Sequence, residues 1–406
     1  MAALLRAAAL AGLAALLAAT SAMPNDAKAS VAEPLASLLA RPELAPYLEK
    51  AEDRRIQIVL GLVENGSDGK PALRQVSFRA GAEYFYPASS VKLFAAVAAL
   101  EKLHELQKET GKPLGVDTPL VYHPLFAGEK LEKEDPSNHE GGRITVRHEL
   151  RKLFLVSDNE AFNKLYEMVG QNYLAASLNR AGLAEARLVH RLDEARSPEE
   201  NRRAPKIDFM GEGVLFTLPE KSTSELPPPS AMPGLMVGSG YMSGGRKVES
   251  PMDFAAKNRF PLADLQRGLC KVLRPEVDCG PGGHFELDAA DREMLREAMG
   301  QYPRESKNPV YSVADYSDHS GKFLLPGLTR KIPQENLRIY NKFGQAYGFS
   351  TENALIVDTV TGKSIFFAAT IYTNADGILN DDNYEYDKVA RPFFTALGEG
   401  LADLLK

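Results

Sequence analysis

Ser89 and Lys92 stand three residues apart in "FYPASSVKLFAAVAALEKL", residues 85–103, where the lysine is the lone charge until Glu101. Pro87 suits a boundary just before a helix, and the run that follows has a helical pattern. A helix starting near Ser89 puts Lys92 one turn on, on the same face. The serine hydroxyl then sits at the positive end of the helix dipole. A lysine among apolar neighbours loses the hydration that favours its charged form, so its pKa falls and its amine can accept a proton from a serine. The chemistry implied is nucleophilic catalysis. Ser90 offers a second hydroxyl, but only Ser89 has the lysine three residues on. The same tetrad also reads as a capping serine and a snorkelling lysine, and on these residues alone that plainer reading leads, because S-x-x-K recurs by chance.

Elements at both ends of the chain must position these groups. Residues 31–53 carry leucines at helical spacing, divided by Pro42 and Pro46. Residues 54–81 read as two strands around a Gly/Asn/Asp-rich turn. Near the other end, "LRIYNKFGQAYGF", "NALIVDTV" and "KSIFFAATIYT" are strand-like, and Tyr384 to Leu405 is amphipathic and helical. The pattern between them is mainly helical. An α/β fold follows, with a sheet domain from residues 31–105 and 336–406 and an inserted helical domain over 106–335. Residues 206–250, rich in Pro, Gly and Ser, read as a long loop or excursion. Two phosphate-loop decoys are turns: "GSGYMSGG" lacks a strand before it and a helix after it, and "TVTGKS" has Val357 where the first glycine belongs.

Composition bounds the rest. The 44% hydrophobic and 25% charged residues fit a soluble globular protein, and the net charge of −6 without a basic patch excludes nucleic-acid binding. Residues 1–22 read as an export signal: Arg6, an apolar run from Ala7 to Ala19 too short to span a bilayer comfortably, then small residues, with cleavage expected after Ala22 or Ala29. No later apolar run is long enough to span a membrane, so a periplasmic or secreted monomer without stable membrane insertion is expected. In that oxidising compartment Cys270 and Cys279 favour a disulfide over two free thiols, and Pro275 lets the chain turn back between them. The seven histidines are scattered, without HExxH or a close Cys/His cluster, so neither a metal nor a cofactor is expected.

Two further motifs change the weight of the first. Ser157-Asp158-Asn159 lies in "ITVRHELRKLFLVSDNEAFNKLYEMVG", and Lys342-Phe343-Gly344 lies on a strand in "YNKFGQAYGF". S-x-x-K, S-D-N and K-[ST]-G in this order are the signature of class A β-lactamases and penicillin-binding proteins. Residues 31–200 and 255–406 resemble class A β-lactamase segments; the stretch between has no evident counterpart. The resemblance implies a β-lactamase-like fold with an antiparallel five-stranded sheet built from both termini and flanked by helices. It implies Ser89 as the acylated nucleophile, Lys92 as its proton acceptor and Ser157 as the proton shuttle to the leaving nitrogen. Asn159 would bind the substrate's side-chain amide and hold Lys92, and Lys342 would attract the substrate carboxylate and tune Ser157. The backbone N–H groups of Ser89 and Gln345, the latter following Gly344, would form the oxyanion hole.

The sequence departs from that family at two places. The family's water-activating glutamate falls, by a count of 36 residues from Ser157, at Asp193, with Arg191 where the loop arginine would be and Ser197 in place of a supporting asparagine. Glu194 would serve after a register shift, and Asp193 also reads as a structural partner of Arg191. Phe343 replaces the hydroxyl that helps bind a penicillin carboxylate, and the ring is expected to crowd the pocket edge, so that threonine there would improve β-lactam handling. The function implied is an exported serine acyl hydrolase acting on a small-molecule β-lactam or a related amide or ester. A penicillin-binding-protein-like peptidase acting on cell-wall peptides, or a non-catalytic wall-binding protein, are the rivals.

Overall fold

The structure, a computed structural model, describes residues 25–223 and 230–406; the expected export signal lies outside the described residues. Helix α1 (Asn25–Leu39) precedes the hairpin β1 (Gln57–Asn65) and β2 (Pro71–Phe78). A 3-10 turn over Ala88–Val91 leads into α2 (Lys92–Thr110). Helices α3 (Val146–Leu155), α4 (Asn159–Val169), α5 (Gln171–Arg180), α6 (Leu262–Leu273) and α7 (Ala289–Gly300) follow. Strands β3 (Leu337–Asn341), β4 (Gly344–Ala346), β5 (Phe349–Asp358) and β6 (Ser364–Tyr372) then complete the sheet, and α8 (Arg391–Leu405) ends the chain.

The sheet order is β3-β5-β6-β1-β2, antiparallel throughout, with β4 pairing with β5 beyond the end of β3. β5 and β6 lie centrally and are buried along almost their whole length, because helices cover both faces. One face packs on α1 and α8 through residues such as Leu35, Ile58, Phe367 and Leu397. The other face meets α6 and the helices around α2. α2 is buried over most of its length, which is why its sequence is apolar up to Glu101.

The described residues of 206–250 are not irregular throughout, contrary to the reading as a loop. Ile207–Met210 pairs with Val214–Leu218 as a hairpin and with Leu120–Tyr122 on its other side. Further on, Gly240–Ser243 pairs with Arg246–Val248 and, in parallel, with Ile378–Leu379. These strands are short and rich in Gly and Pro around their turns, so period-two alternation has too little length to register. Arg55 ties this excursion to the sheet domain by donating to the carbonyls of Tyr84 and Gly234.

A disulfide joins Cys270, on α6, to Cys279. Beside it, Leu73 donates to the Asp278 carbonyl and Asp278 to that of Pro71, so the cross-link pins the end of α6 against edge strand β2. Cys270→Ala with Cys279→Ala should lower unfolding stability by about 2–3 kcal/mol, the entropy of closing a short loop. Denaturant titration of that variant measures it, and an unchanged midpoint would contradict the assignment.

Candidate active site

The α3–α4 connection is short, and its capping chemistry sets the first part of the site. Asp158 caps α4 by accepting the Ala161 N–H at 2.7 Å. Immediately before it, Ser157 takes φ of 61°, a left-handed conformation costly for a residue with a side chain. That turn aims the Ser157 hydroxyl at two lysines. Lys342 Nζ donates to Ser157 Oγ at 2.8 Å, and Lys92 Nζ lies 3.4 Å from the same oxygen. Lys92 also donates to the carbonyls of Ser157 and Asp158, at 2.5 and 3.0 Å, and to Asn159 Oδ1 at 2.6 Å. Both lysines are fully buried. Burial pushes Lys92 down to about 7 against the opposing pull of Asp158 and Asp193. Lys342 is held well below the ordinary lysine range by burial, then by the charge of Lys92.

The two adjacent serines differ in environment. Ser90 is fully buried and its hydroxyl donates to the Pro87 carbonyl at 2.6 Å. Ser89 lines a cavity of about 1170 Å³, and among the described residues its hydroxyl has no hydrogen-bond partner. β4 crosses the start of this turn so closely that a Cβ at Gly344 would lie 2.4 Å from the Pro87 carbonyl oxygen and 2.9 Å from Ser89 N. Glycine is the residue that permits the approach. It brings Gln345, whose side chain donates to Ser350 Oγ at 2.9 Å, to the cavity wall beside Ser89 and Asn159.

Residues 72–209 match the beta-lactamase enzyme family. That match and the geometry above support a β-lactamase-like serine hydrolase fold. A β-lactamase from Desulfarculus baarsii is similar in structure, with 19% identity over 92% of this chain and 97% of that one and a TM-score of 0.48. A β-lactamase from Burkholderia ambifaria has 16% identity over 89% and 98%, with a TM-score of 0.48. One from Streptosporangium roseum has 18% identity over 89% and 96%, with a TM-score of 0.46. No curated protein matches the chain by sequence.

The loop over residues 187–201 forms a second wall of the cavity. Arg191 is buried and pairs with Glu167 at 2.8 Å, and it donates to the carbonyls of Glu200 and Arg203. Glu194 pairs with Arg196 at 2.5 Å and lies 3.7 Å from Arg191. The structure therefore gives the arginine carboxylate partners other than Asp193. Asp193 is exposed to the cavity at φ of 56°, with no ion pair or hydrogen bond among the described residues. Ser197 is spent on a capping box with Glu200.

Two asparagines that sequence reasoning missed hold this loop. Asn163 both accepts from and donates to the backbone of Leu192, at 2.9 and 3.0 Å. Asn201 accepts the Arg191 N–H and donates to the carbonyls of Arg196 and Ser197. The signal for Asn163 was available: it lies four residues after Asn159, on the same face of α4.

Phe343 requires a correction. Its ring does not crowd the cavity. It is half-buried in the core on the α1/α8 side, 5.1 Å from the Phe323 ring, and Lys342 Nζ lies 4.2 Å from its centre. Gly321 leaves the space the ring occupies, since a Cβ there would come within 2.9 Å of it. The break between β3 and β4 falls at Lys342 and Phe343, so strict strand alternation does not decide where this side chain points. Phe343→Thr should lower stability by about 1–3 kcal/mol through lost packing, without faster β-lactam acylation. Thermal unfolding beside acylation kinetics measures both, and a tenfold gain in acylation at unchanged stability would overturn this placement.

Proposed function

We propose that the chain is an exported serine acyl hydrolase of class A β-lactamase type that acts on β-lactams. Ser89 Oγ attacks the strained carbonyl, and Lys92 accepts its proton. The backbone N–H groups of Ser89 and Gln345 bind the oxyanion. Ser157 passes a proton to the leaving nitrogen, with Lys342 orienting it and attracting the substrate carboxylate. Asn159 holds Lys92 and receives the amide of the acyl side chain. Asp193 activates the water that releases the acyl group. The observation that carries this reading is the Ser157 hydroxyl within hydrogen-bond reach of both Lys342 and Lys92, next in sequence to the pair Asp158-Asn159, whose Asn159 holds Lys92 and lines the same cavity as an unpartnered Ser89. The apolar, Arg6-led start of the sequence supports export, and no described helix is long and apolar enough to cross a membrane.

One observation favours a second reading, a penicillin-binding-protein-like peptidase that acylates and then stalls. Among the described residues no carboxylate hydrogen-bonds to Lys92, and Asp193 is one methylene shorter than the glutamate it would replace. Intact-mass time courses with a penicillin and a cephalosporin separate the two. An adduct that forms and disappears as substrate is consumed supports the hydrolase. An adduct that persists for hours supports the peptidase.

A further inference from the structure

The floor of the cavity beyond the 187–201 loop comes from Met252 and the segment 255–257. Ser230 donates to the Ala255 carbonyl, Phe254 to that of Leu235, and Met252–Asp253 pairs with Met236–Val237. This layer is locked to the loop. Arg187 and Arg259 exchange backbone hydrogen bonds, and Asn258, fully buried, accepts the N–H groups of Val189 and His190 through Oδ1. On the locked floor, Lys257 and Arg187 both line the same cavity as Ser89. Among the described residues neither side chain has an ion pair or a hydrogen bond. Both are half-buried, and burial holds each below its ordinary range.

The carboxylates lining the cavity do not cancel these cations. Glu194 is engaged by Arg196, whereas Asp193, Glu199 and Asp382 are exposed to solvent, which screens them. A partly desolvated cation attracts an anion more strongly than a solvated carboxylate repels it. His190 adds an acceptor on the way. Its Nδ1 lies 2.5 Å from the Arg191 carbonyl and so carries the proton, which leaves Nε2, buried and unpartnered, free to accept an N–H.

We propose that Lys257 and Arg187 form an anion subsite for a carboxylate carried on the acyl side chain of the substrate. The position argues for the acyl side. Lys257 and Arg187 line the cavity together with the 187–201 loop and Asn159, whereas Ser157 and Lys342, which the proposed mechanism puts on the leaving-group side, are not among its lining residues. Assigning the anion to an acyl donor rests on the acyl-hydrolase reading of Ser89; the subsite itself does not.

The test uses the full chain carrying Ser89→Ala and two penicillins that differ only in a side-chain carboxylate, benzylpenicillin and α-carboxybenzylpenicillin. Calorimetric titration should show the carboxylated compound binding about tenfold more tightly, as a charge-assisted hydrogen bond provides. Adding Lys257→Gln with Arg187→Gln should bring the ratio close to one. Equal binding of the two compounds, a preference that survives the double substitution, or no binding of the carboxylated compound at millimolar concentration would each overturn the subsite. Labelling of the protein that retains Ser89 is read separately. No adduct there, with the preference intact in the Ser89→Ala protein, would sink the acyl-hydrolase reading and leave the subsite standing.

Discussion

Lys92→Met should slow acylation of Ser89 by about 10²–10⁴, the usual contribution of a positioned general base. Methionine keeps the length and the apolar stem of lysine, so α2 retains its packing while the amine is lost. The amine has two jobs. In the proposed mechanism it takes the Ser89 proton, and in the structure it ties together the carbonyls of Ser157 and Asp158 and the side chain of Asn159. Unfolding curves therefore accompany the kinetics, since those acceptors lose a donor. The pH profile separates the roles. Burial pushes Lys92 down to about 7, so the amine is protonated below that value and free to accept a proton above it. Acylation in the parent should rise with pH through about 7 and then level off, and Lys92→Met should lose that rise. A variant that folds and acylates at the parental rate would remove Lys92 from the chemistry.

Asp193→Asn should let the acyl-enzyme accumulate, slowing its hydrolysis by about 10²–10⁴ while acylation stays within a few-fold of the parent. The reason is local. Arg191 is engaged by Glu167 and approached by Glu194, which leaves Asp193 unpaired among the described residues and lining the cavity; Glu199, also unpaired there, lies six residues further along the loop. Asparagine is a clean replacement, because at φ of 56° Asn is among the few residues tolerated as well as Asp. Asp193→Glu should speed release if reach is the limitation, less the strain of a longer side chain in a left-handed conformation, about 1–2 kcal/mol. Glu194→Gln is the control. If it stalls as acyl-enzyme and Asp193→Asn does not, the base is Glu194, and if neither stalls the loop carries none. Single-turnover mass spectrometry reads all three variants.

The sheet and its flanking helices were legible because β1, β2, β5, β6 and α8 are long enough to show their periods, and a buried helix such as α2 is apolar nearly all round. Ser157, Lys342 and Ser89 were legible as types and spacing, but their convergence depends on a left-handed turn at Ser157 and on glycine at position 344, which pattern alone does not dimension. Phe343 was misplaced because a break in the strand, rather than alternation, sets its direction. Asn201 and Asn258 escaped notice because each works by bonding to backbone outside its own element, and a lone polar residue carries no periodic signal, whereas Asn163 did carry one, four residues after Asn159. The role of the stretch before Lys257 was invisible because its strands are two to five residues long, too short for a period to register.

Intact-mass and peptide mapping after brief exposure to benzylpenicillin, run on the parent, Ser89→Ala and Ser90→Ala, tests the central claim most directly. The parent should gain the mass of one penicillin on the peptide that contains Ser89. Ser90→Ala, which loses the hydrogen bond to Pro87 but keeps the cavity-facing hydroxyl, should still label, more slowly. Ser89→Ala should gain no mass at any time. An adduct on Ser89→Ala protein, or a parent that stays unlabelled under conditions where a known serine β-lactamase is acylated, would contradict the assignment of Ser89 as the nucleophile.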